Sequence, residues 1–145
     1  MRYWLYKSEP ATWSWDQQKA KGEAGEEWTG VRNYQARNFM REMKTGDRGF
    51  FYHSNEGKEV VGIVEVVKEI HPDSSADDPK WECVDIKAVM DVTTPVSLDR
   101  IKGEVDLKDM VLVNNSRLSV QPVTADEFAL VCEMGGLDPK AAMAS

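Results

Sequence analysis

"EVVGIVEVVKEI", residues 59–70, is the strongest strand signal in the chain. Its β-branched residues are apolar on both sides, which predicts a central strand covered on both faces. Working outward, "GDRGFFYHSN" (46–55) reads as a turn, a strand through Phe50, Phe51 and Tyr52, and a polar loop. On the other side, "HPDSSADDPK" (71–80) is a Pro/Asp/Ser loop, after which "WECVDIKAVMDV" (81–92) resumes strand-like sequence. Near the start, "RYWLYK" (2–7) alternates bulky rings as a strand and ends at an "SEP" corner, where Pro10 biases Glu9 towards extended geometry.

Helical signals lie between and after these strands. Residues 11–19 form a short helix with Thr12 or Ser14 as N-cap, and "AKGEAGEEW" (20–28) is an exposed loop delivering Trp28. Ala36, Phe39, Met40 and Met43 share one face of a helix that Asn33 is placed to cap. Two short helical turns are expected around 98–101 and 107–112. A last helix starts at Thr124, with Glu127 at the capping-box position. Several strands follow one another through short turns, and helices intervene irregularly. That pattern predicts an α+β domain with a curved, mostly antiparallel sheet rather than a doubly wound parallel one.

Length and composition set the bounds. At 145 residues, 41% hydrophobic and 30% charged, the chain is one globular domain, with residues 138–145 expected as a flexible tail. No apolar run approaches the ~20 residues of a membrane span, and the first residues carry charge too early for a signal peptide. A cytoplasmic monomer with no membrane partner is expected. Cys83 and Cys132 are far apart and form no CxxC pair, so two reduced, buried thiols are expected. His53 and His71 belong to no zinc or triad pattern, and no metal or cofactor is expected. No GxSxG, P-loop or GxGxxG occurs.

The net charge of −7 hides an asymmetry. Residues 1–55 hold nine Lys and Arg against seven Asp and Glu, whereas residues 56–145 hold nine against eighteen. Of the aromatic residues, only Trp81 and Phe128 lie beyond residue 56. "WTGVRNYQARN" (28–38) concentrates the side chains that stack on bases, pair with phosphates and read base edges. An acidic chain is poorly suited to sequence-blind duplex binding, which rests on phosphate neutralisation; a local pocket is compatible with it. Each candidate also has a structural alternative. Trp28 could be a structural cap, Asn33 a helix cap, and Tyr34 a core ring. Arg37, Arg41 and Lys44 line one side of the helix, either as a phosphate-facing stripe or as a solvated face.

Five ordered segments carry a resemblance over about residues 2–137: "YWLYKSEP" (3–10), "WTGVRNYQARNFMREMKTGD" (28–47), "FYHSN" (51–55), "VVGIVEV" (60–66) and "RLSVQPVT" (117–124). Together they resemble the EVE domain family of the PUA-like superfamily, which also holds PUA, ASCH and YTH domains. The resemblance implies a single domain over 1–137 with a PUA-like curved mixed β-pseudobarrel and flanking helices. It also implies a non-catalytic pocket for one flipped-out nucleobase of DNA or RNA, expected to carry a modification such as a methylated cytosine or adenine. Modification or restriction enzymes are the protein partners such a module would serve. By position, Trp28 is the candidate stacking ring, with Asn33 and Ser54 as edge readers. Ser8, Glu9, Tyr34, Asn55, Arg117, Leu118 and Ser119 would line or flank the pocket. Arg32, Arg37, Arg41 and Arg117 are the candidates for phosphates. The alternative is an ASCH-like amidohydrolase acting on acylated or otherwise modified cytosine nucleosides, using Lys7, Ser8 and Glu9. A third reading is an adaptor whose pocket holds another planar metabolite.

Overall fold

Six strands hydrogen-bond in one mixed sheet in the computed structural model, which describes residues 1–143. They are β1 (Tyr3–Ser8), β2 (Glu26–Glu27), β3 (Arg48–His53), β4 (Glu59–Pro72), β5 (Glu82–Ser97) and β6 (Val120–Val123), in the order β2-β5-β4-β3-β1-β6. The sheet is open: β2 and β6 are its two edges. Every pairing is antiparallel except β1 with β3. A parallel pair needs a crossover, and the residues between β1 and β3 supply it with α1 (Trp15–Ala20), β2 and α2 (Tyr34–Glu42). After β5 come α3 (Leu98–Lys102), α4 (Val111–Asn114), then β6, α5 (Ala125–Met134) and α6 (Pro139–Met143). This is the α+β class expected from the sequence.

The opening stretch occupies the inside of the sheet, between β3 and β5, because both its faces are covered. Successive side chains of a strand point to opposite faces, and the two cores divide accordingly. Trp4, Tyr6, Phe51, Val64 and Ile86 pack with Ala36 and Met40 of α2. Leu5, Phe50, Ile63 and Val96 pack with Ile101 and Phe128 on the other side. Gly62 interrupts the apolar run for a packing reason: a Cβ there would stand 2.2 Å from Cζ2 of Trp15. Glycine lets α1 lay its indole flat against the strand, and Trp15 Nε1 donates to Asp91 Oδ1 of β5 at 2.7 Å. Repeated register shifts along β4 and β5 bend the sheet around these rings.

The caps follow the sequence closely. Ser14 and Gln17 form a capping box on α1, Asn33 Oδ1 accepts from Ala36 N at 2.8 Å, and Thr124 with Glu127 boxes α5. The last residues differ from expectation. A flexible tail was expected over 138–145, yet Pro139–Met143 is helical, Ala142 is fully buried, and Arg48 Nη1 donates to the Ala142 carbonyl at 3.1 Å. Packing of Ala142 against the α5 core is what holds this turn; residues 144–145 lie outside the described residues. Both cysteines are free and buried. No helix among the described residues is long and apolar enough to cross a membrane.

Candidate functional site

A cavity of about 650 Å³ opens where β1 ends, within the usual range for small-molecule pockets. Its wall is assembled from three places: the β1 end and corner, the segment from Glu26 to Arg32, and single residues Ser74 and Ser119. The corner is tied by internal hydrogen bonds. Ser8 Oγ donates to the Trp13 carbonyl at 2.5 Å, and the Thr12 and Trp13 amides both donate to the Glu9 carbonyl at 2.9 Å. Trp13 is steadied in turn by its Nε1, which donates to Gln18 Oε1 at 2.9 Å. A second hollow of about 370 Å³ lies by the start of β1 and α5. Its one ring, Tyr3, is already stacked on Phe128 at 4.6 Å, so the larger cavity is the better candidate.

The segment after β2 is shaped by a buried carboxylate. Gly30 has φ of 83°, a conformation that favours glycine, and its amide donates to Asp73 Oδ2 at 2.9 Å. Arg32 Nη1 donates to the same oxygen at 3.1 Å, while Ser75 N and Oγ donate to Oδ1 at 2.8 and 2.6 Å. Asp73 is only 3% exposed. Burial raises its pKa, but the hydrogen bonds from Ser75, Gly30 and Arg32 together outweigh burial and hold it below the usual value. A depressed carboxylate stabilises the fold above its unfolded pKa, and that contribution disappears as pH falls through the lower folded value. Asp73→Asn is therefore expected to cost about 2 kcal/mol at neutral pH, given ~1.5–3 kcal/mol for a hydrogen bond to a charged group. Urea titrations should show the gap to wild type closing below about pH 4; a gap that is constant with pH would contradict the assignment.

Five of the sequence candidates converge on this cavity: Ser8, Glu9, Trp28, Arg32 and Ser119. Trp28 is held by its amide, which donates to the Val84 carbonyl at 2.8 Å. Its ring meets Tyr6 and Phe51 edge-to-face at 5.5 and 5.6 Å, leaving it 7% exposed. It is thus both a cavity wall and a core ring. The remaining candidates sit elsewhere. Asn33 spends its side-chain oxygen on the α2 cap. Tyr34, 53% exposed, stacks on Trp81 outside the cavity at 5.0 Å. Ser54 contributes its amide to the Ser8 carbonyl, and Asn55 occupies a turn with φ of 71°. Leu118 is core, and Arg117 is exposed on the neighbouring loop.

The basic side chains of α2 are engaged within the protein. Arg41 Nε donates to Glu82 at 2.6 Å, and Arg37 Nη1 donates to the Lys80 carbonyl at 3.0 Å while its guanidinium lies 5.0 Å from the Tyr34 ring. Lys7, Thr12, Trp13, Glu26, Glu27, Thr29, Gly30, Val31 and Ser74 complete the wall and were not among the sequence candidates for a base pocket. Lys7 Nζ donates to the Ser116 carbonyl at 2.7 Å, and burial lowers its pKa. The cavity therefore mixes two indoles, two cations and three carboxylates, a lining suited to a flat polar ligand more than to a bare phosphate. Among the described residues, no hydrogen bond joins the side chains of Lys7, Ser8 and Glu9.

An open mixed sheet with flanking helices and a cavity at the end of β1 defines the chain as a PUA-like α+β protein. A YTH domain from Zygosaccharomyces rouxii shares that fold at a TM-score of 0.58, with 16% identity over 92% of this chain and 86% of that one. Within this class the chain belongs to the EVE domain family, whose model matches residues 2–134. It is 67% identical to a protein of Agrobacterium tumefaciens of known structure, with a TM-score of 0.93 over 94% of each chain. It is 40% identical to thymocyte nuclear protein 1 of Danio rerio, over 94% of this chain and 73% of that protein. The human THYN1 protein, solved in complex with 5-methylcytosine containing DNA, is 35% identical and superposes with a TM-score of 0.88 over 96% of this chain and all of that one.

Proposed function

We propose that this chain is a non-catalytic module that binds nucleic acid and takes one flipped-out, modified base into the cavity at the end of β1. The observation that carries the reading is the likeness to human THYN1 in complex with 5-methylcytosine DNA, which spans nearly the whole chain. The cavity's chemistry supports it: a flipped base needs flat apolar faces, a few edge partners and room to enter. Trp28 and Trp13 supply the rings, and Ser119, Thr29 and Lys7 offer polar groups at the wall. Arg32, which lines the cavity while paired with Asp73, and Arg117 on the adjacent loop are the candidates for backbone phosphates. The module acts as a monomer and lends this recognition to modification or restriction enzymes.

An oligonucleotide panel differing in one base tests the reading: cytosine, 5-methylcytosine, adenine and N6-methyladenine, each in DNA and RNA. One modified member is expected to bind at least tenfold tighter than its unmodified counterpart. Trp13→Ala should weaken that member by about 5–150-fold, the equivalent of ~1–3 kcal/mol of stacking. Equal affinity across the panel would sink the proposal. The amidohydrolase alternative keeps one supporting observation, the lowered pKa of Lys7 beside the cavity. Against it, the Ser8 hydroxyl proton is committed to the Trp13 carbonyl.

A further inference from the structure

We propose that Glu27, His71 and Cys83 form a binding site for one zinc-class divalent metal ion, with Glu27 Oε1, His71 Nδ1 and Cys83 Sγ as protein ligands and water as the fourth. The strand pairing creates the site. β5 lies between β2 and β4, so that Glu27 pairs with Asp85 and His71 pairs with Cys83. The three donor atoms all lie within 4.8 Å of one another. Cys83 Sγ is 3.7 Å from Glu27 Oε1, and His71 Nδ1 is 4.0 Å from the same oxygen. Tetrahedral zinc with ordinary bond lengths separates such atoms by about 3.4–3.6 Å. The two Glu27 edges exceed this by about 0.1–0.6 Å and the third edge by up to about 1.2 Å, so closure requires side-chain rotation.

The surroundings resemble the outer shell of a metal centre more than an accidental cluster. A ligating histidine commonly donates its second ring nitrogen to a carboxylate, and ligating carboxylates are themselves hydrogen-bonded. Here His71 Nε2 meets Asp85 Oδ1 at 2.7 Å, and Nδ1 faces the Pro72 carbonyl at 2.9 Å, a contact that it would exchange, with its proton, for the ion. Ser74 Oγ donates to Glu27 Oε2 at 2.7 Å and Ser74 N to Oε1 at 3.2 Å. Imidazole, carboxylate and thiolate together are a donor set for zinc and not for magnesium or calcium. The Glu27 carboxylate beside Cys83 and the Asp85 carboxylate beside His71 favour a cation at this point.

Charge and protons balance simply. As the metal–sulfur bond forms, Cys83 releases its thiol proton to solvent; His71 binds through neutral Nδ1, giving up any proton there, and retains Nε2–H on Asp85. One thiolate and one carboxylate then neutralise a divalent ion. Glu27 and Ser74 also line the large cavity, so the ion would fix part of its wall. The proposal stands independently of what the cavity binds.

Cobalt(II) is the probe: tag-free protein is stripped with chelator and titrated anaerobically. Expected are one equivalent bound, a thiolate-to-cobalt charge-transfer band in the near ultraviolet, and intense visible bands of four-coordinate cobalt that zinc bleaches. Cys83→Ser should abolish the charge-transfer band and Cys132→Ser should leave it unchanged. Glu27→Gln, at a partly exposed position, should weaken zinc at least tenfold, and Asp85→Asn about 10–100-fold with the band retained. The carboxylate variants decide the matter even where Cys83→Ser does not fold. No near-ultraviolet band at saturating cobalt, a band that survives Cys83→Ser, or unchanged zinc affinity in Glu27→Gln would overturn the proposal.

Discussion

Trp28→Ala is expected to lower folding stability by about 3–5 kcal/mol, the range for removing a buried tryptophan. That corresponds to a melting point lower by roughly 10 °C for a domain of this size. The sequence offers Trp28 as a structural cap or a stacking ring at the end of an exposed loop, and the structure buries it in the core. The ring is 7% exposed and wedged edge-to-face against Tyr6 and Phe51, so truncation opens a cavity in the core on the α2 side. Under the proposed function, binding of the preferred modified oligonucleotide should weaken as well, by one to two decades on the ~1–3 kcal/mol stacking estimate. The two effects are separated by measuring binding well below the mutant's melting temperature and comparing Trp28→Phe, which keeps an aromatic face. A Trp28→Ala protein with wild-type denaturation would show that its neighbours close the hole or that the ring is not packed as described.

Asp47→Ala should cost about 3 kcal/mol or more. Asp47 is 5% exposed and ends the turn between α2 and β3. Its carboxylate accepts from Trp4 Nε1 at 3.1 Å, from Lys44 N at 3.1 Å and from Arg2 N at 3.2 Å. Each buried donor left without a partner costs about 1–3 kcal/mol, and the Trp4 indole lies wholly inside. Asp47→Asn keeps an acceptor oxygen and should lose roughly half as much. Denaturant titration at neutral pH distinguishes the pair; a change within about 0.5 kcal/mol, as at an ordinary surface site, would refute the role given to Asp47.

Neither effect is readable from residue types alone, although both residues stand in segments that were singled out. Trp28 and Asp47 fall at the two ends of "WTGVRNYQARNFMREMKTGD". The helix between them was legible because its signals are local: a capping asparagine and an apolar face at helical spacing. Asp73 shows the opposite case. It lies in the Pro/Asp/Ser loop of residues 71–80, which holds none of the site candidates, yet it fixes Gly30 and Arg32 on the cavity wall from 43 and 41 residues away. Arg41 likewise reads as free for phosphate until folding brings Glu82 beside it.

What the sequence determined by itself is what depends on neighbours along the chain. The longer strands, the caps, the twofold apolar character of residues 59–70 and the α+β class follow from alternation, helical periodicity and turn chemistry; β2 does not, because Glu26 and Glu27 read as exposed loop and become a strand only by pairing with β5. What only tertiary structure decided is which side chains remain available. Asn33 is used by its cap, Tyr34 by Trp81, and Arg41 by Glu82, while Lys7 and Trp13 reach the cavity instead. The zinc-class site has the same origin, since Glu27, His71 and Cys83 meet only because β5 pairs with both β2 and β4. The reason is physical: periodicity is written in adjacent residues, but a polar group's partner is chosen in space, among atoms that long-range strand pairing alone brings together.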